Sequence, residues 1–209
     1  MLRLRVSDIA QSKNCPKRAR LQTIRSIDDN NKTRPMKYGI ELHNSYARNN
    51  IFTFRQEVLV YNLESYGVFE RYIGNDIVVR GLPDNYRLLA SKDGYTVSII
   101  EVKTTSKQYL YSFEYECAIL QVRLYAWLLE PYIKELGYKL HNRMYVEVFS
   151  QKDHHLIKRI PVEPNTNTIE QEILDILDVW DGLKPAKYPD YWVCKHCPKA
   201  IKEKCGRNG

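Results

Sequence analysis

At 209 residues the chain is long enough for one full hydrophobic core with a small appended unit. No apolar run is long enough to span a bilayer, and the opening Met1-Leu-Arg-Leu-Arg-Val-Ser-Asp8 lacks the apolar centre of a signal peptide, so a membrane span is excluded and a cytoplasmic location is expected. The net charge of +7 sits entirely within residues 1–37, which hold ten Lys/Arg against three acids, while the remainder is neutral; such a segment is either a polyanion-facing surface or a solvated, Arg-rich helix.

Ser7 and Asp8 are placed to cap a short helix, and Pro16 suits the first turn of a second one through Lys17-Arg-Ala-Arg-Leu21. Residues 26–34 are polar and read as a loop. Pro35 then opens a helix with Ile40, His43 and Ala47 on one face. Strands are predicted over residues 57–63, 68–73, 76–80, 86–90 and 96–103. A long helix follows over 115–136, interrupted at Pro131 and ended by Gly137. Two more strands, 143–149 and 155–162, precede a helix from Thr168. Thr168-x-x-Gln171 has the form of a capping box, and Ile169, Ile173, Ile176, Leu177 and Trp180 form its apolar stripe up to Gly182. This order predicts a mixed sheet flanked by helices, of the α/β or α+β class.

The tail carries Cys194, Cys197 and Cys205. Three thiolates at that spacing are one short of a closed metal site, and Cys15 is the available fourth ligand. Cys117 is left as a buried thiol. A four-cysteine zinc site, with His196 as a spare ligand, and an iron–sulfur cluster both suit this set.

Lys92-Asp93-Gly94-Tyr95 is a two-residue hairpin signal. With Asp93-Gly94 at the tip, Asp84 falls opposite Lys103 and Tyr86 opposite Glu101. Alternation puts Asp84, Glu101 and Lys103 on one face. Two carboxylates there can hold Mg²⁺ or Mn²⁺, and the ammonium can offset charge developing on a phosphodiester. The other reading is a charged edge strand.

Four motifs occur in order: Gly39-Ile-Glu-Leu-His43, Gly81-Leu-Pro-Asp84, Glu101-Val-Lys103 and Gln121-Val-Arg-Leu-Tyr125. Together with Cys15 and the tail cysteines they resemble the RecB-like branch of the PD-(D/E)XK nucleases. Within it the chain is similar to the CRISPR-associated exonucleases called Cas-four and to related nucleases of archaeal viruses. The resemblance implies a restriction-endonuclease-like α/β core over 35–182. A basic N-terminal segment, 1–34, and an iron–sulfur tail, 183–209, would flank it. It implies that His43, Asp84, Glu101 and the carbonyl of Val102 ligate a catalytic Mn²⁺ or Mg²⁺, and that Lys103 is the catalytic lysine. Gln121 and Tyr125 would contact the substrate strand, aided by Lys17, Arg18 and Arg20, and Cys15, Cys194, Cys197 and Cys205 would hold a 4Fe-4S cluster. The implied activity is a deoxyribonuclease acting on single-stranded DNA or DNA ends, in CRISPR spacer acquisition with integrase subunits or in viral DNA replication and recombination. A homo-oligomer is compatible with it. The alternative is a non-catalytic DNA-binding iron–sulfur or zinc subunit of a larger assembly. The gap between Cys197 and Cys205 is wider than the family's usual spacing.

Overall fold

A computed structural model of the chain describes residues 1–24, 63, 66–92, 94–107, 109–186, 194–195, 197 and 199–205. The loop 26–34 and the helix from Pro35, with His43, lie outside the described residues. So do Asp93, His196, and the aromatic residues of the tail between 187 and 193. Of the expected strand 57–63 only Leu63 is described, and its backbone is helical.

The chain opens with β1 (Leu2–Arg5), α1 (Val6–Gln11) and α2 (Pro16–Ile24). Next come β2 (Phe69–Ile73) and β3 (Ile77–Gly81), then the hairpin of β4 (Asn85–Ser91) and β5 (Gly94–Thr105). The long helix α3 (Ser112–Glu135) leads to β6 (Lys139–Leu140), β7 (Met144–Ser150) and β8 (Leu156–Val162). Last are α4 (Ile169–Asp181) and α5 (Lys199–Cys205). One sheet has the order β1-β3-β2, and the second runs β4-β5-β7-β8 with β6 also on β5. The second sheet is mixed: β5 is antiparallel to β4 and parallel to β7. This is the expected mixed sheet flanked by helices.

Side-chain alternation along β5 and β7 creates two faces. Val97, Ile99, Met144, Val146 and Val148 join the main core with Leu120, Leu124, Trp127 and Leu128 of α3. Ile100, Val102 and Phe149 form a separate cluster. The N-terminal segment belongs to the main core. Leu4, Val6, Ile9 and Ala10 are all buried, β1 pairs in parallel with β3, and α1 packs on α3. Alternation of Leu and Arg over residues 2–5 marks β1 as a half-buried strand, which was not among the predicted elements.

Three local expectations are corrected. Ser7 and Asp8 lie inside the first turn of α1 and do not cap it; Arg5 is the cap position, and its guanidinium pairs with Asp8 at 2.8 Å. Thr168 makes no side-chain cap. Its hydroxyl donates to the Asn165 carbonyl and accepts from Arg123, while Gln171 turns to Asp175, so the capping box does not form. Pro131 does not interrupt α3. Proline removes the N–H that would bond the carbonyl four residues earlier, that of Trp127. Arg71 supplies the missing donor: its Nη1 reaches the Trp127 carbonyl at 2.5 Å, with the guanidinium 4.3 Å from the Trp127 ring centroid. Strand β2 thus repairs the helix from outside. Gly137 and Gly182, both at positive φ, end α3 and α4 as expected.

Candidate active site

The hairpin register differs from the expected one by two residues. Ser91 pairs with Gly94 and Asn85 with Ile100, so Gly94 already belongs to the strand. Continuing the register by one pair sets Asp84 opposite Glu101 rather than Lys103, and Tyr86 pairs with Ile99. A shift of two preserves parity, so Asp84, Glu101 and Lys103 stay on one face.

Strand β4 ceases to pair at Asn85, which leaves the end of β5 without a backbone partner on that side. Asp84 takes that place with its side chain, accepting the Val102 N–H at Oδ2 over 2.7 Å. On the other side β7 pairs with β5 from Ile100 to Thr105, making β5 a central strand. Glu101 is 2 % exposed. Lys103 Nζ donates to Glu101 Oε1 at 2.6 Å and to Gln121 Oε1 at 3.0 Å. Gln121 lies on α3, one turn before Tyr125, to which it is hydrogen-bonded. Asp84, Glu101, Lys103, Gln121 and Tyr125 therefore form one connected group, built by the hairpin and the helix packed over it.

The electrostatics follow from this packing. Burial works against the Lys103 ammonium, but the carboxylates of Glu101 and Asp84 outweigh it and hold the pKa above the usual lysine value. Burial, the Glu101 charge and the Asp84 charge push the Tyr125 phenol up, against the Gln121 bond, so it stays a neutral O–H. Cys117 sits on the same helix face. Burial pushes its thiol up to about 11, against a bond from the Asn14 backbone and the Lys103 charge.

Gly81 explains how α1 and α3 close over this face. A Cβ there would lie 2.8 Å from Tyr125 Cε1 and 2.9 Å from Val6 Cγ2, both inside contact distance. Gly81→Ala should displace Tyr125 and lower stability by about 1–3 kcal/mol. Urea unfolding checks the loss, which should appear as a lower midpoint at unchanged slope.

Asp84 and Glu101 offer the oxygen donors that Mg²⁺ and Mn²⁺ take, on neighbouring positions. Among the described residues no three His, Cys, Asp or Glu side chains gather closely enough to hold a metal ion. The two carboxylates thus fit a divalent cation as part of a ligand set; His43 lies outside the described residues.

The cysteines gather at the N-terminal end of α2. Cys15 stands just before that helix, and its sulfur accepts the Arg18 N–H at 3.4 Å. Lys17 Nζ donates to the Cys205 carbonyl at 2.5 Å, fastening α2 to α5. Cys15 and Cys197 are pushed above the usual thiol range, first by burial and then by the other cysteines of the set, with Arg18 opposing the rise at Cys197. Cys15, Cys194, Cys197 and Cys205 are thus neighbours, and none of the four is in a disulfide. Of the three basic residues expected at the substrate, Arg18 lines a cavity beside Lys103. Lys17 binds the tail, and Arg20 lies 3.7 Å from Asp181.

That cavity, about 450 Å³, brings in residues not predicted as functional, among them Asn14, Phe113 and Glu114. The alternating aromatics of Tyr109-Leu-Tyr-Ser-Phe-Glu-Tyr115, directly after Glu101-Val-Lys103, are the sequence signal that could have pointed to it.

A family model described as the PD-(D/E)XK nuclease superfamily matches residues 47–201. Among solved structures, a candidate exonuclease from Eubacterium rectale aligns over 99% of this chain and 88% of its own, at 13% identity and a TM-score of 0.53. The protein SSO0001 aligns over 96% of this chain and 85% of its own, at 15% identity and a TM-score of 0.43. No curated protein matches the chain.

Proposed function

The chain belongs to the PD-(D/E)XK nuclease superfamily, and on that premise we propose that the Asp84–Glu101–Lys103 face is the cleavage site of a metal-dependent deoxyribonuclease. The observation that carries the reading is the Lys103 ammonium, fixed between Glu101 and Gln121 at the end of a central strand. A solvated edge network would not need Glu101 buried, nor a helix glutamine to aim the lysine.

Asp84 and Glu101 hold the divalent cation, with His43 and the Val102 carbonyl completing the set. Bound there, Mg²⁺ or Mn²⁺ supplies Lewis-acid polarisation of the phosphodiester and a more acidic water. Lys103 does the rest of the electrostatic work. Its raised pKa keeps it charged at neutral pH, so it serves as a hydrogen-bond donor to the phosphate oxygens and not as a general base. Gln121 holds that ammonium in place and, with the neutral Tyr125 hydroxyl, orients the substrate strand. Cys15, Cys194, Cys197 and Cys205 hold a 4Fe-4S cluster that locks α2 to the tail. The substrate is single-stranded DNA or a DNA end, in CRISPR spacer acquisition beside integrase subunits or in viral DNA replication and recombination.

Incubation of end-labelled single-stranded DNA with Mn²⁺ tests the activity. Shortened products that vanish in chelator are expected, and an intact label at every Mn²⁺ concentration would refute the nuclease. Iron and sulfide analysis of anaerobically purified protein tests the cluster: about four of each per chain are expected, sharply reduced in Cys205→Ala. Zinc in place of iron would show the four-cysteine zinc site instead.

A further inference from the structure

The cavity beside Lys103 opens between α1, α2 and the first turns of α3, and two of its polar groups are unusually placed. Asn14 is 7 % exposed, and its Oδ1 has no hydrogen-bond partner among the described residues. The Arg18 Nε is likewise buried without one. Leaving such groups unpaired costs about 1–3 kcal/mol each, so a cavity lined by both an acceptor and a guanidinium is shaped for a polar guest.

An aromatic ladder leads to its mouth. Phe113 lines the cavity and stacks on Tyr111 with centroids 5.8 Å apart and planes 8° apart. Tyr109, 55% exposed, meets Tyr111 edge-on at 5.8 Å. Lys107 is hydrogen-bonded to the Tyr111 hydroxyl and lies 4.2 Å from its ring centroid. The loop that carries these rings is braced from below. Thr105 Oγ1 donates to the Tyr109 carbonyl and accepts the Lys107 N–H, Leu110 is buried, and Glu114 accepts the Tyr111 N–H at 2.7 Å. The surface is therefore preorganised, with the exposed Tyr109 ring and the half-buried Tyr111 and Phe113 rings beside a cation.

We propose that Tyr109, Tyr111 and Phe113 form a stacking platform for an unpaired DNA strand, whose leading nucleotide enters the cavity against Asn14 and Arg18 next to Lys103. The proposal rests on the nuclease reading and extends it to the residues that present the strand. Rings stack on any base exposed by unpairing, whereas a duplex keeps its base faces covered. Lys107 and Arg18 meet successive phosphates, and Asn14 Oδ1 accepts from a base amino group.

Fluorescence anisotropy of a labelled mixed-sequence single strand and of its matched duplex, without divalent cation, tests the platform apart from cleavage. Tyr109→Ala, at an exposed position, should weaken single-strand binding about fivefold to tenfold. Tyr109→Phe should bind as the intact protein does, and duplex affinity should not change. The independent variant Phe113→Leu should weaken the single strand as well. Single-strand affinity unchanged in Tyr109→Ala, or lost equally with duplex affinity, would overturn the platform. If the intact protein cleaves DNA in Mn²⁺ while these variants bind normally, the platform fails and the nuclease stands. If the ladder variants lose single-strand binding in a protein that never cleaves, the nuclease fails and the platform stands.

Discussion

Glu101→Gln should abolish metal-dependent cleavage, with a rate loss of about a hundredfold to a thousandfold or more. Glutamine is nearly the same size, so the strand and its packing persist. What disappears is the charge. Glu101 is buried and accepts from Lys103 at 2.6 Å, and with Asp84 it offers a carboxylate to a cation on this face. The variant should therefore need far more Mn²⁺ for half-maximal rate. It should also alter the pH response. Lys103 titrates above its ordinary value of about 10.4 because Glu101 and Asp84 overcome the effect of burial. A raised lysine pKa means that the stability from this pairing is complete below the unfolded-state value and is lost as pH rises through the folded-state value. Without the Glu101 charge the folded-state pKa falls. The alkaline limb of any residual cleavage should move to lower pH, and so should the alkaline loss of stability. Cleavage and urea midpoints measured between neutral and alkaline pH test both. Limbs that coincide with those of the intact protein would remove Glu101 from its role as partner.

Lys103→Ala should leave metal binding in place and remove the chemistry, again by about a hundredfold to a thousandfold. Lys103 reaches the face from β5 but is aimed by Gln121 on α3. The loss should therefore lie in the rate at saturating DNA more than in the DNA concentration needed to saturate. Lys103→Arg should not restore it, because a planar guanidinium cannot occupy the same point between two oxygen acceptors. A folded variant with unchanged single-turnover rate would show that cleavage, where present, uses another site.

The amount of this legible in the sequence depended on how far each feature reaches along the chain. Alternation along β4 and β5 fixes which residues share a face, so Asp84, Glu101 and Lys103 fall together even though the turn lies one residue earlier than expected and the register shifts by two. Periodicity carries parity, and only the turn geometry carries register. Pro131 signals a break because its lost hydrogen bond is local, while the compensating Arg71 lies on a strand remote in sequence. The Thr168 cap was misread for a related reason: Arg123 of α3 competes for its hydroxyl. Strand β1 carries its own Leu/Arg alternation, but four residues announce little without their parallel partner β3. The local signal of the cavity is confined to the aromatic alternation of residues 109–115, which does not show what packs over it. The cavity exists because α1 packs on α3 and α2 packs on α1, and Gly81 permits the approach of Val6 and Tyr125 through its missing side chain.

If the face joining Asp84, Glu101 and Lys103 cuts DNA, its lysine is indispensable to the cut. The most direct measurement is single-turnover digestion of 5′-labelled single-stranded DNA in Mn²⁺ by the intact protein and by Lys103→Ala, purified side by side and both shown to be folded. The intact protein should degrade the DNA, and Lys103→Ala should leave the label undigested. Equal degradation by both proteins, or an undigested label with both, would contradict cleavage at this face.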